Sequence, residues 1–202
     1  EDAAGIGELA EKMADVYFGI PKDVRNKGLK ITVSTSILVP KPFTPFQWAP
    51  MARPEIVDER IKAVRGAIKS RSIVYNYHEQ ETSFMEAVFA RGDRRTCDVL
   101  IKAFEKGARF DGWSEYFKMD IWNEAMAECN LDPEFYVYRE RNYEEVLPWD
   151  FIDIGVTRRY LERENEKAKK AELTRNCLEG CTGCGVNIGF KEGKCFEGAI
   201  RN

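Results

Sequence analysis

A chain of 202 residues, 44% hydrophobic and 32% charged, has the make-up of an ordinary globular protein with room for one sizeable core or one domain and an appendage. Its formal charge of −3 gives no electrostatic case for non-specific nucleic-acid binding, and no apolar run is long enough to span a bilayer or to read as a signal peptide. Six cysteines, three of them in one short segment, point to metal ligation in a reducing compartment, the cytoplasm, and away from a disulfide framework.

The first residues, from Glu1, already read as the inside of a helix, which predicts a piece of a longer protein. Ile6, Leu9, Met13, Val16 and Tyr17 recur at helical spacing over Ala3–Phe18, and Gly19 and Pro21 end that helix. After the polar linker Lys22–Gly28, Ile31, Val33, Ile37 and Val39 alternate as one face of a strand. Pro40, Pro42, Pro45 and Pro50 then forbid both helix and ladder pairing, so the chain leaves the strand as a stiff loop. The loop carries Lys41, Thr44, Gln47 and Trp48, with Phe43 and Phe46 as apolar anchors. Its place at the end of a strand favours the mouth of a site, against the plainer reading of a packed crossover. Pro54 opens a second helix whose apolar face is Val57, Ile61, Val64 and Ile68, and Ile73–Tyr77 is a second strand. Two helix-then-strand units predict an α/β fold, a piece of a parallel barrel or doubly wound sheet.

Beyond Tyr77 the pattern changes to short helices. Phe84, Met85, Val88 and Phe89 mark one, ending near Gly92. Asp93 can cap the next, with Cys97, Leu100, Ile101 and Phe104 as its apolar residues and Cys97 and Cys129 read as core thiols. Asp120 can cap another, containing Trp122 and Met126, while Asp132-Pro133 and Leu147-Pro148 read as breakers. Thr157 caps a last helix, Arg158 to Leu173, charged nearly all round and so expected to be a solvated spacer with little core face.

Several residues combine chemistry with position. Cys177, Cys181 and Cys184, in CLEGCTGCG, place three thiolates in eight Gly-rich residues, where they can converge on one metal or cluster; Cys195 is a candidate fourth ligand. Spacing does not choose between iron–sulfur and zinc. His78, the only histidine, stands at a strand end beside Glu79 and Glu81, either as an acid–base group or ligand or as a partner of the next helix's start. Arg91, Asp93, Arg94 and Arg95 form a charged turn whose guanidinium forks suit carboxylate or phosphate, against the plainer reading of a capping Asp93 with solvated arginines. Asp111, Trp113 and Glu115, in FDGWSEYF, offer either a polar edge with an aromatic platform or a packed loop.

The run SILVPKPFTPFQW resembles the late barrel strand and following loop of radical SAM enzymes, especially those fused to a cobalamin-binding domain. YHEQETSFMEAVFARGDRR (Tyr77–Arg95), FDGWSEYF (Phe110–Phe117) and LPWDFIDIGV (Leu147–Val156) extend the resemblance in order over nearly the whole chain, to one family of this type whose substrate is not defined. The resemblance implies the C-terminal part of a radical SAM partial (β/α) barrel over residues 1–78, a mostly helical extension over 79–156 and a charged helix with a Cys-rich tail over 157–202. It implies a full protein that cleaves S-adenosylmethionine reductively and modifies or methylates a substrate by radical chemistry, with cobalamin as a further cofactor. The partners of this chain would then be the N-terminal cobalamin-binding and radical SAM core of the same polypeptide, and the substrate. The C-x3-C-x2-C spacing coincides with the primary cluster motif, yet only a short tail follows Cys184, and Gly183 stands where that motif has an aromatic residue. The segment is therefore expected to be an accessory site, and the chain alone to be inactive. The family pattern has a further Cys just after CTGCG, where this chain has Val186 and Asn187. The alternative from a different class is a zinc- or cluster-bound scaffold for a macromolecular partner such as RNA.

Overall fold

Gly7, Ala10 and Ala14 give helix α1 (Asp2–Gly19) a stripe of small residues, and this stripe, not the larger apolar one, is the face that packs. A Cβ on Gly7 would lie 2.7 Å from the Val64 carbonyl oxygen and 2.8 Å from the Ala67 Cβ, so only glycine lets α1 approach α2 (Pro54–Ala67) this closely. Ile6, Leu9, Met13 and Val16, read from sequence as the core face, are exposed. The helical period was right and the buried side was not, because a smooth small-residue stripe brings the helix backbones closer than bulky side chains allow.

The computed structural model describes residues 2–26 and 28–189. Among them the protein is mixed and mostly helical, with one two-stranded parallel sheet, and it divides into two compact units. One is Glu1–Val39 with Ala52–Met85; the other is Pro40–Met51 with Glu86–Asn202. These units cut across the expected segments 1–78, 79–156 and 157–202.

In the first unit β1 (Ile31–Thr35) pairs in parallel with β2 (Ile73–Tyr77), Ile31 opposite Ile73 and Thr35 opposite Tyr77. Helices α1 and α2 alternate with them along the chain, as the parallel pairing of strands joined by a crossover helix requires. Ala10, Ala14 and Ile73 form the core, with Leu29, Ile31, Val33 and Ile68 packed against it. The ladder stops at Thr35, four residues before the expected end at Val39, because Ser36–Val39 find no partner on β2. The amides of Ser70 and Lys69 donate to Glu11 Oε1 at 2.7 and 2.6 Å, tying the exit of α2 to α1 and holding the Glu11 carboxyl below its usual range.

The second unit takes up the proline-rich loop, the end of α3 (Gln80–Arg91), α4 (Arg95–Glu105), α5 (Met119–Glu128), α6 (Pro133–Val137), α7 (Arg158–Lys169) and the short α8 (Val186–Gly189). Helices α4 and α5 pack together through Thr96, Val99 and Ala103 on one and Trp122, Ala125 and Met126 on the other. Lys106 spans to Glu128 and Glu124 at 2.7 and 2.9 Å beside that seam. Cys97, expected in the core, is exposed together with Leu100, Ile101 and Phe104. Asp120 lies inside the first turn of α5 instead of capping it; Lys118 holds the cap position. Asp132-Pro133 starts α6 instead of breaking the chain, since the Asp132 carboxylate accepts from the Glu134 amide at 3.0 Å and proline suits the first helical position.

Helix α7 overturns its expectation most clearly. It ends at Lys169, with Ala171 in the left-handed region at φ 56°. It also has a core face: Leu161 and Asn165, one turn apart, are buried. Leu161 joins Trp48, Leu147 and Trp149 in one apolar cluster of the unit.

Candidate functional site

Gln47 is the residue around which the proline-rich loop closes. The loop turns at Phe43, whose φ of 59° brings its amide to 3.0 Å from Gln47 Oε1. The same oxygen accepts the Trp149 indole N–H at 2.7 Å. Pro45–Trp48 forms a single 3-10 turn, and Asn165 from α7 donates to the Pro45 carbonyl at 2.6 Å while accepting the Tyr143 hydroxyl at 2.5 Å. Trp48 is 2% exposed, with the Tyr143 ring edge-on at 4.9 Å. Of the four loop residues expected at a mouth, Gln47 and Trp48 therefore turn into the core, while Lys41 and Thr44 stay at its edge. Lys41 pairs with Glu86, and the Thr44 hydroxyl donates to the Lys41 carbonyl at 2.8 Å.

Arg91 is the second surprise, a fully buried guanidinium with no carboxylate among its hydrogen-bond partners in the described residues. Its Nε donates to the Tyr136 carbonyl at 2.8 Å. Nη1 lies 3.4 Å from the carbonyls of both Pro40 and Gln47, and Nη2 3.5 Å from that of Arg139. Burial, then the neighbouring guanidiniums of Arg141 and Arg139, push its pKa down to about 9. Arg141 is buried too; it donates to the Arg91 carbonyl at 3.0 Å, and its pKa is lowered by burial and then by Arg139. Arg139 is neutralised by a two-pronged bridge to Glu145 at 2.7 and 2.6 Å. Arg91 and Arg141 thus tie segments together through backbone oxygens.

The rest of the charged turn opens on a cleft of about 990 Å³ at the start of α4. Asp93, Arg94 and Arg95 line it, with Phe89 and Phe151 as part of the apolar wall. Asp93 grips Arg95 with both oxygens, at 2.7 Å to Nη2 and 3.0 and 3.1 Å to Nε. It also accepts the Arg95 amide at 2.9 Å and the Tyr136 hydroxyl at 3.1 Å, so it satisfies the helix start from one residue before the cap position. The Arg95 side chain, opposed by some burial, brings the Asp93 pKa down to about 2. A carboxylate with a depressed folded pKa stabilises above its unfolded value and loses that stabilisation as pH falls through the folded one. The stability gap between the wild type and Asp93→Asn is therefore expected to be full above pH 5 and to close as pH falls from the ordinary 3.8 toward about 2, read from urea midpoints at each pH.

The remaining expected residues lie elsewhere. His78 is exposed in the first unit, its amide donating to the Thr35 carbonyl at 3.3 Å beyond the ladder. Trp113 and Glu115 are exposed and Asp111 half-buried; Trp113 packs edge-on against Phe110 at 6.2 Å, and none of the three borders the cleft.

The cysteine loop is fastened to the start of α7. The Cys184 carbonyl accepts from the Thr157 amide at 2.8 Å, Arg175 donates to the Cys181 carbonyl at 3.2 Å, and Arg163 to that of Thr182 at 2.5 Å. Gly185, at φ 101°, lies so close to Thr157 that a Cβ would stand 2.6 Å from its methyl group. The Gly183 amide reaches Cys181 Sγ at 3.4 Å, the type of amide-to-sulfur contact that orients a sulfur ligand. The donor chemistry thus suits a soft metal. The placement does not close a site: among the described residues no group of three His, Cys, Asp or Glu side chains converges, and Cys177, Cys181 and Cys184 are free thiols. Cys195 lies outside the described residues.

No protein-family model, curated protein or solved structure matches this chain. Among the described residues no helix is long and apolar enough to cross a membrane.

Proposed function

We propose that this chain is the C-terminal part of a radical SAM enzyme and supplies substrate-side contacts and an accessory thiolate-bound iron–sulfur site. The observation that carries the reading is the alternation α1–β1–α2–β2 with parallel strand pairing, the repeating unit of a (β/α) barrel, on a sequence whose motifs resemble that family in order. S-adenosylmethionine, its primary cluster and cobalamin would supply the radical and methyl chemistry from elsewhere in the same polypeptide. What this chain's residues do in that setting is hold and cover. The loop around Gln47 and the carbonyls stitched by Arg91 fix the frame, and the cleft at α4 offers polar and apolar contacts. In the cysteine loop, Cys177, Cys181 and Cys184 would be ligands, the Gly183 amide would stabilise a sulfur, and Arg163 and Arg175 would offset thiolate charge. Binding has to draw the sulfurs together and release their protons, so it gains strength as pH rises.

The test is anaerobic iron, sulfide and zinc analysis with visible absorption on the purified chain and on Cys181→Ala. Iron with acid-labile sulfide and a broad brown absorbance, lost in the variant, is the expected result, together with no cleavage of S-adenosylmethionine by the chain alone. One colourless zinc per chain would move the reading to a scaffold for a macromolecular partner. Absence of metal from both proteins after reconstitution would remove the accessory site.

A further inference from the structure

We infer that the cleft at the start of α4 is a binding site for a small oxyanion, carboxylate or phosphate, carried on an apolar body, with Arg94 as its charge contact. Four lining residues, Phe89, Leu100, Pro148 and Phe151, make an apolar wall, and Leu100 and Phe151 leave much of their side chains uncovered. The cleft, about 990 Å³ and open to solvent, has room for a small molecule to lie against that wall.

The charges on the polar side do not cancel. Asp93 and Arg95 neutralise one another through the two-pronged bridge, and Asp93 is further occupied by Tyr136. Arg94 forms no ion pair among the described residues and is exposed at the same rim. The cleft therefore presents one uncommitted guanidinium, whose fork matches two oxygens of a carboxylate or phosphate. The first amides of α4 are already taken: Arg95 N by the Asp93 carboxylate, Thr96 N by the Asp93 carbonyl and Cys97 N by the Arg94 carbonyl. An anion is thus met by the side chain of Arg94, not by the helix end. This site stands on the cleft itself and does not depend on the proposed radical SAM role.

Cys97 makes the site testable. Its thiol is exposed, lines the cleft and lies three residues after Arg94, on the same side of the first turn. Alkylation by iodoacetate and by iodoacetamide is compared at Cys97 of the full chain, by peptide mapping, and at the uncharged free thiol N-acetylcysteinamide in the same solution. The iodoacetate-to-iodoacetamide rate ratio is expected to be about two- to fivefold higher at Cys97, the size of one exposed ion pair. Arg94→Gln should remove the excess, and so should high salt. On the wild-type chain, phenyl phosphate should slow iodoacetamide at Cys97 saturably, while inorganic phosphate and benzyl alcohol at the same concentration do so at least several-fold less. Equal ratios at the two thiols, an excess that survives Arg94→Gln, or protection by benzyl alcohol as strong as by phenyl phosphate would each overturn the assignment. The protection arm uses no variant, so it decides even if Arg94→Gln folds poorly.

Discussion

Trp48→Ala is expected to cost about 3–5 kcal/mol of stability in the unit that contains it, the range for emptying a buried aromatic site. The indole is wedged among Leu147, Trp149 and Leu161 with Tyr143 against its edge, so its loss opens that apolar cluster. Its N–H has no hydrogen-bond partner among the described residues, which sharpens the expectation. Trp48→Phe discards an unsatisfied donor along with some volume, and should cost only about 1–2 kcal/mol. Trp149→Phe is the contrasting case. There the indole N–H is bonded to Gln47 Oε1 at 2.7 Å, so its removal loosens the oxygen that also holds the turn at Phe43. It should exceed Trp48→Phe by roughly one hydrogen bond, about 1 kcal/mol. All four tryptophans belong to this unit, so indole fluorescence in urea follows its unfolding alone. If Trp48→Ala left the urea midpoint unchanged, the side chain would be free for a ligand and the expectation of a site mouth would return.

What was legible in the sequence follows a physical line. Elements whose signals are local were found nearly in place: proline at the start of α2, the alternation of β1, the length of β2 and the Thr157 cap, whose hydroxyl accepts from the Tyr160 amide. Which side of a helix is buried depends on partners far along the chain, and here hydrophobicity misled. In α1 and α4 the bulkier apolar faces are exposed, while Gly7, Ala10 and Ala14, and Thr96, Val99 and Ala103, make the contacts. Small side chains carry little hydrophobic signal but set how closely helices approach. In α7 the charges hid a two-residue core face; Leu161 followed by Asn165 at i+4 was the readable sign. The candidate site divided in the same way. Residue types suited to anions and metals were visible, whereas the burial of Gln47, Trp48 and Arg91 was not, and Cys97, taken for core, borders the cleft. Arg91 also left a sign: it follows Ala87 and Val88 at i+4 and i+3, and all three lie on the fully buried side of α3.

Arg91→Met should destabilise the same unit by about 2–4 kcal/mol, seen as a lower urea midpoint with an unchanged slope. Two effects oppose each other. Methionine relieves the burial of a charge that no carboxylate among the described residues balances and that Arg141 and Arg139 repel. It also removes the donor to the carbonyls of Tyr136, Pro40, Gln47 and Arg139, which come from α6, the proline-rich loop and the segment after α6. A hydrogen bond from a charged donor contributes about 1.5–3 kcal/mol, and a buried carbonyl left without one costs on the order of 1–3 kcal/mol. One contact is short and three are at the limit of bonding distance, so the loss outweighs the relief by a modest margin instead of summing to four full bonds. Repulsion between the two buried guanidiniums gives a second signature. In Arg91→Met the neighbouring Arg141 is freed of a like charge, so Arg91→Met with Arg141→Met should depart from the sum of the singles by about 0.5–3 kcal/mol. Arg91→Lys keeps the charge but not the fork, and an ammonium on one stem cannot serve carbonyls on three segments, so it should recover little. A stable Arg91→Met would mean that the carbonyls do not need their donor. The guanidinium would then be held in the interior for a ligand's charge.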